Sequence, residues 1–112
     1  MTGIDYEHFC ADILRKNGWK VDVSQASNDQ GVDIMAYKDD LAVAIQCKKY
    51  SKPVGNSAVQ EIVAGKQFRG AHVAAVVTNN SYTPSAKKLA NTTDVFLLHH
   101  NDLAQADVIF QV

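Results

Sequence analysis

Residues 31–48 read GVDIMAYKDDLAVAIQCK, and this stretch decides the fold. Val32 to Tyr37 is apolar apart from Asp33, Lys38-Asp39-Asp40 is a polar turn, and Leu41 to Lys49 is apolar for most of its length. Two strand-length runs around a short turn predict an antiparallel hairpin, and the second, apolar on most positions, belongs in the middle of a sheet. Side chains alternate along a strand, so residues two apart share a face about 6.6 Å apart. On that count Leu41, Val43, Ile45 and Cys47 form one face, and Ala42, Ala44, Gln46, Lys48 and Tyr50 the other. Asp33 shares a face with Met35 and Tyr37, opposite Val32, Ile34 and Ala36. Counted from Asp39, Asp33 lies six positions back and Gln46 seven forward. An acid, an amide oxygen and a lysine therefore meet near one end of the hairpin.

Working outward, Tyr6, Phe9, Cys10, Ile13 and Leu14 recur at helical spacing and predict an amphipathic helix from about Ile4 to Asn17, stopped by Gly18. Trp19 to Gln25 alternates as a strand, and Ala26 to Gly31 is polar and turn-rich. Beyond the hairpin, Lys52-Pro53-Val54-Gly55 breaks the strand, and Asn56 or Ser57 can cap a helix through Val59, Ile62, Val63 and Phe68 that ends at Gly70. Ala71 to Thr78 reads as a buried strand, Asn79 to Tyr82 as a loop, Thr83 to Leu89 as a capped helix, and Val95 to Leu98 as a short strand. The tail, Asn101 to Val112, is expected to hold a helical turn and a last strand. The class is α/β: a mixed sheet flanked by helices, in the order αβββαβαβ.

A chain of 112 residues suits one domain, and residues 1–112 show no repeat, linker or charge block. Cys10 and Cys47 lie far apart in apolar stretches, which fits core packing in a reducing, cytoplasmic setting and not a disulfide framework. No apolar run approaches the roughly 20 residues of a membrane span. The net charge of −1 conceals a division. Residues 1–40 carry four bases against eight acids, residues 41–93 carry seven bases against Glu61 alone, and Asp94, Asp102 and Asp107 follow with no Lys or Arg. A basic middle beside an acidic start can place a positive face next to a carboxylate cluster, although solvated lysines account for the same count.

The hairpin end has a chemical logic. A carboxylate and a neutral carbonyl oxygen are hard ligands suited to Mg²⁺, which keeps several waters. Such an ion lowers the pKa of a bound water and offsets phosphate charge. A lysine alongside can orient the attacking water or stabilise the negative charge that develops. Metal-assisted phosphodiester hydrolysis needs those parts.

Gly31-Val32-Asp33, twelve residues, then Gln46-Cys47-Lys48 resembles the catalytic core of Mrr-type restriction endonuclease domains, of the PD-(D/E)xK nuclease superfamily. The resemblance runs along nearly the whole chain. Gly3 to Glu7 is similar to the opening helix motif, Gly18-Trp19 to the turn into the first strand, and Asp29 to Asp33 to the turn before the catalytic acid. Gln46 to Ser51 with Pro53-Val54, Val76 to Asn79, Thr83 to Ala86 and Asn101 to Leu103 continue the likeness in order. It implies a restriction-endonuclease-like fold and an Mg²⁺-dependent deoxyribonuclease, with Mn²⁺ able to substitute, that leaves 5′-phosphate and 3′-hydroxyl ends. Asp33 would be the central metal ligand, Gln46 would occupy the second acid position, and Lys48 would be the catalytic lysine. The backbone carbonyl of Cys47 and the helix-borne Glu7 would complete the metal site. Two positions depart from the superfamily pattern: Val32 replaces a proline, and Gln46 replaces an acid, which puts more weight on Glu7.

Lys49 and Lys52 are candidate phosphate contacts, which would make DNA binding salt-dependent, whereas Lys66 and Arg69 fit a solvated helix surface better. Asp29 reads as a turn former, Gln60 as a solvated residue near the site, and Tyr50 as a packing residue at the hairpin end. Thr78, Asn79, Ser81 and Thr83 fit either phosphate contacts at a helix N-terminus or ordinary loop and cap duty. His99 and His100, if both on a strand, face opposite ways and cannot share an ion. The expected role is cleavage of DNA in restriction or defence against foreign DNA. The alternatives are a non-catalytic nucleic-acid-binding module with the same fold, or a Holliday-junction-resolving or RNA-directed nuclease. The near-neutral charge and the strand-like tail further suggest a homodimer, or a catalytic domain fused to or associated with a DNA-binding or sensor domain.

Overall fold

The first helix, α1 (Gly3–Lys16), starts where the sequence supplies a cap: the Thr2 side chain accepts the Asp5 N–H and the Asp5 carboxylate accepts the Thr2 N–H. The computed structural model describes residues 1–24 and 31–112. The expected loop at Ala26–Gln30, with Asp29 as its turn former and Gln25 as a strand end, lies outside the described residues. After α1 come β1 (Lys20–Val23), β2 (Ile34–Lys38), β3 (Leu41–Lys48), α2 (Asn56–Arg69), β4 (Val73–Thr78), α3 (Pro84–Thr93) and β5 (Val95–His99). A 3₁₀ turn (His100–Gln105) and a short helix, α4 (Ala106–Phe110), close the chain.

The five strands form one sheet in chain order, β1 to β5. β1, β2 and β3 pair antiparallel, while β3, β4 and β5 pair parallel across the crossovers made by α2 and α3. β3 is the central strand, and Val43, Ala44, Ile45 and Gln46 within it are buried. One face of the sheet packs Ile34, Ala36, Val43, Ile45, Ala75 and Val77 against Tyr6, Cys10 and Leu14 of α1 and against Leu103, Ala106 and Phe110 of the tail. The other face packs Met35, Ala44, Ala74 and Val76 against Val59 and Ile62 of α2 and Ala86 and Ala90 of α3. Burying Leu14 and Ile62 in these layers contributes roughly 1.5–3 kcal/mol each. Among the described residues, no helix is long and apolar enough to cross a membrane.

The structure departs from the sequence reading at several places. The tail ends in α4, not in a strand, because Leu103, Ala106 and Phe110 bury a helical stripe while Val108 and Val112, their apparent partners in alternation, are exposed. Trp19 precedes β1, and its buried ring meets Phe110 edge-on with centroids 6.0 Å apart. β2 begins at Ile34, and Val32 packs with Met35 in the α2-side layer, so alternation breaks between Val32 and Ile34. Finally, Gly55 is the residue ahead of α2, which has no side-chain cap, so neither Asn56 nor Ser57 caps it.

Candidate active site

The β2–β3 ladder fixes the site. Ile34 stands opposite Ile45, and one residue beyond the strand the Asp33 N–H donates to the Ile45 carbonyl at 2.9 Å. Asp33 is thereby held at the mouth of the hairpin, and its Oδ2 accepts the Cys47 N–H at 2.8 Å. Burial pushes the Asp33 carboxyl up from its ordinary range, the Cys47 N–H and the Lys48 charge pull it down, and Glu61 adds repulsion.

Gln46, two per cent exposed, points its amide into the structure. Its Nε2 donates to the Gly31 carbonyl at 3.0 Å and to Glu61 Oε1 at 2.9 Å. Both neighbours only accept, so the amide has one sensible orientation, and Oε1 is turned away from them. Among the described residues, that Oε1 is a buried side-chain oxygen with no hydrogen-bond partner. A buried acceptor left bare costs free energy unless something electropositive meets it, and a hard cation is the partner an amide oxygen suits.

Lys48 lies two residues along β3, its Nζ 3.7 Å from Glu61 Oε1 and 5.7 Å from the centroid of the Tyr50 ring. Tyr50 thus borders the lysine as well as packing at the hairpin end. Glu7, half-buried on α1, carries a carboxyl pushed up to about 7, first by burial and then by the charge of Asp33. Glu7 and Asp33 therefore lie near enough to repel each other when both are ionised. Among the described residues no three His, Cys, Asp or Glu side chains form a ready metal cage. The oxygens that could hold an ion are instead mixed in kind: the Asp33 and Glu7 carboxylates, the bare Gln46 Oε1 and the Cys47 carbonyl. That set fits Mg²⁺, which takes a few protein oxygens and keeps water on its other positions.

Around this centre, Thr78 Oγ1 donates to the Lys48 carbonyl at 2.6 Å, Asn79 Oδ1 accepts the Tyr50 N–H, and Asn80 Nδ2 donates to the Tyr50 carbonyl. These residues clamp the exit of β3, and Thr83 caps α3 by accepting the Ala86 N–H. Lys49 and Lys52 emerge from the clamp into solvent. Cys10 lies in the core and Cys47 packs against it. Gln60 is exposed and makes none of these contacts; the α2 residue that reaches the site is its neighbour Glu61, which the motif reading did not single out. Its one sequence signal was its isolation as the lone acid among the seven bases of residues 41–93. His99 and His100 do not face opposite ways, because β5 ends at His99 and the chain turns; their ring centroids are 4.1 Å apart.

A sequence profile of the Mrr catalytic family, described as restriction endonuclease, matches residues 1–106. No curated protein matches the chain. Among solved structures, a protein of unknown function, AF1548, superposes with a TM-score of 0.74 at 22% identity, over 88% of this chain and 58% of its own. The MspJI restriction endonuclease in complex with a 27-mer oligonucleotide superposes at 0.59 and 22% identity, over 90% of this chain and 25% of its own. Hjc of Archaeoglobus fulgidus, a Holliday junction resolvase, superposes at 0.56 and 21% identity, over 70% of this chain and 64% of its own. The chain therefore spans less than two thirds of each of these structures, and at such identities the likeness establishes a restriction-endonuclease-like fold.

Proposed function

The chain belongs to the Mrr catalytic family of restriction endonucleases, and from that premise we propose that it is a metal-dependent endonuclease that hydrolyses DNA phosphodiester bonds. The observation that carries the proposal is the bare, buried Oε1 of Gln46 beside an Asp33 that its own strand neighbour holds in place. Asp33, Gln46 Oε1, the Cys47 carbonyl and Glu7 would hold Mg²⁺, or Mn²⁺ in its place. When bound, the ion would acidify a water and offset the charge of the phosphate. Lys48 would orient that water and stabilise the charge developing on the phosphate oxygens. The water oxygen bonds to phosphorus as the bond to O3′ breaks, leaving a 5′-phosphate and a 3′-hydroxyl. Lys49 and Lys52, exposed just past the catalytic strand, would meet the flanking phosphates.

In this reading residues 1–112 act as one catalytic domain in the cytoplasm, in restriction or defence. The domain would work as a homodimer or with a DNA-binding or sensor domain, since a net charge of −1 gives little autonomous pull on DNA. A junction-resolving activity is the second reading, supported by the fold shared with a Holliday junction resolvase. A non-catalytic binding module would have no use for an acid, an amide oxygen and a lysine gathered at one strand end.

The test is cleavage of supercoiled plasmid in Mg²⁺ by the wild type and by Lys48→Ala, with a four-way junction as competitor. Nicking by the wild type alone supports the proposal, and strong protection by the junction shifts the substrate to branched DNA. Equal cutting by both proteins removes Lys48 from the reaction. DNA binding without cleavage by either favours a binding module.

A further inference from the structure

Glu61 comes from the crossover helix α2, yet it joins two of the candidate catalytic side chains. Its Oε1 accepts from Gln46 Nε2 at 2.9 Å and lies 3.7 Å from Lys48 Nζ. A primary amide has two unlike ends: its oxygen suits a cation and its NH₂ repels one. Which end of the Gln46 amide is left without a protein partner is decided by what holds the other. The Gly31 carbonyl and the Glu61 carboxylate, both acceptors, hold the NH₂.

The three groups are packed without slack. A Cβ on Gly31 would lie 2.9 Å from Gln46 Nε2 and 2.9 Å from Glu61 Cβ. Half of the Glu61 side chain is exposed, so it owes this position to its two partners and not to burial.

We infer that Glu61 is a positioning residue: it turns the Gln46 oxygen toward the cation site and holds the Lys48 ammonium beside it. The inference rests on the metal-dependent reading above. Removing the carboxylate leaves the Gln46 amide with one acceptor and free to turn its NH₂ outward. Replacing it with an amide keeps an oxygen that can accept from Gln46 but removes the charge that Lys48 meets. The two substitutions therefore separate orientation from charge.

The experiment titrates the full chain with Mn²⁺ in the absence of DNA, records the Gln46 side-chain amide signal by NMR without metal, and measures plasmid nicking in Mg²⁺. Glu61→Ala is expected to weaken Mn²⁺ binding about 10–100-fold and to move the Gln46 amide signal. Glu61→Gln is expected to recover most of the Mn²⁺ affinity but little of the nicking. An unmoved Gln46 signal with unchanged Mn²⁺ affinity in Glu61→Ala overturns the inference, and so does Glu61→Gln behaving as Glu61→Ala in the titration. A wild type that binds Mn²⁺ but cuts no DNA overturns the nuclease reading, while the order of the three affinities still decides the role of Glu61. A wild type that does not bind Mn²⁺ overturns both.

Discussion

Asp33 is tied through its side chain to the strand beside it, Oδ2 accepting the Cys47 N–H at 2.8 Å. The same strand carries Gln46 and Lys48, so this bond holds the acid in register with them. Burial makes its negative charge costly, as the upward displacement of its carboxyl records. Asp33→Asn preserves shape and an oxygen for the Cys47 N–H while removing that charge. Cleavage is expected to fall about a thousandfold or more, the scale of losing several kcal/mol of metal-assisted stabilisation. Thermal unfolding without metal is expected to stay level or move upward. A variant that cuts at the wild-type rate would remove Asp33 from the reaction.

Glu7 shows the same conflict as a pH dependence. Its carboxyl is raised from 4.5 to about 7, first by burial and then by Asp33. Between those values the folded chain keeps a proton that the unfolded chain has released, so its contribution to stability falls as pH rises through the window. Glu7→Gln is therefore expected to raise the unfolding temperature of the metal-free protein near pH 8 and to leave it unchanged near pH 4. Mg²⁺ is expected to stabilise the wild type more at pH 8 than at pH 6, because ion and proton compete for the same carboxylates. Unfolding curves across pH, with chelator and with Mg²⁺, check both; an equal effect of the substitution at pH 4 and pH 8 would count against charge burial.

How much of this was legible depends on how local each relationship is. Asp33, one residue ahead of β2, and Gln46 and Lys48 on β3 are joined by one hairpin, so counting residues from Asp39 was enough to place them near one end of it. The helical spacing of Tyr6, Cys10 and Leu14 likewise gave α1 and its buried face. The tail misled because Val108, Phe110 and Val112 alternate like a strand, while the stripe that is actually buried runs through Leu103, Ala106 and Phe110. The strand was read two residues too far, back to Val32, beside a Gly31 with φ of 81°. Glu61 was hidden for a different reason. Its place in the site depends on how α2 lies across the sheet, which no spacing within residues 31–48 encodes.

The helical tail has its own consequence. Asp107 accepts from the Trp19 indole at 2.9 Å and from the Lys38 ammonium, joining α4 to the β2–β3 turn and to the start of β1. The Lys38 hydrogen bond, with help from Trp19, holds the Asp107 carboxyl below its ordinary 3.8. A carboxylate lowered in the folded state adds stability that is present above its ordinary pKa and lost as pH falls through the folded one. Trp19 is the single tryptophan, so its emission reports this contact directly. The wild type is expected to change emission on acidification below about pH 4, and Asp107→Asn to lose that step with a small loss of stability. Superimposable emission curves would show that the contact is not what the indole senses.

Salt dependence checks the DNA-facing side. Lys49 and Lys52 are exposed where β3 leaves the Thr78–Asn80 clamp. Each phosphate contact removed lowers the slope of log affinity against log salt by about one. The double variant Lys49→Ala with Lys52→Ala is expected to weaken binding similarly for all sequences and to reduce the slope by about two. Binding isotherms at several salt concentrations measure it. An unchanged slope would place the phosphates elsewhere on the basic middle of the chain.

Gly31 ties backbone geometry to chemistry. Its φ of 81° lies in the left-handed region, where an L side chain is strained by about 1–3 kcal/mol. Its carbonyl must also accept from Gln46, and an added Cβ would lie 2.9 Å from that amide nitrogen and from Glu61 Cβ. Gly31→Ala is therefore expected to cost stability and to displace the Gln46 amide together with Glu61. A substitution that destabilised the fold alone would lower the denaturation midpoint and leave Mn²⁺ affinity and the Gln46 amide signal of the folded protein intact. A substitution that acts through the site changes all three. We expect the second pattern, measured in denaturant titrations and by NMR on the folded protein. The first would mean that the turn serves the fold and not the site.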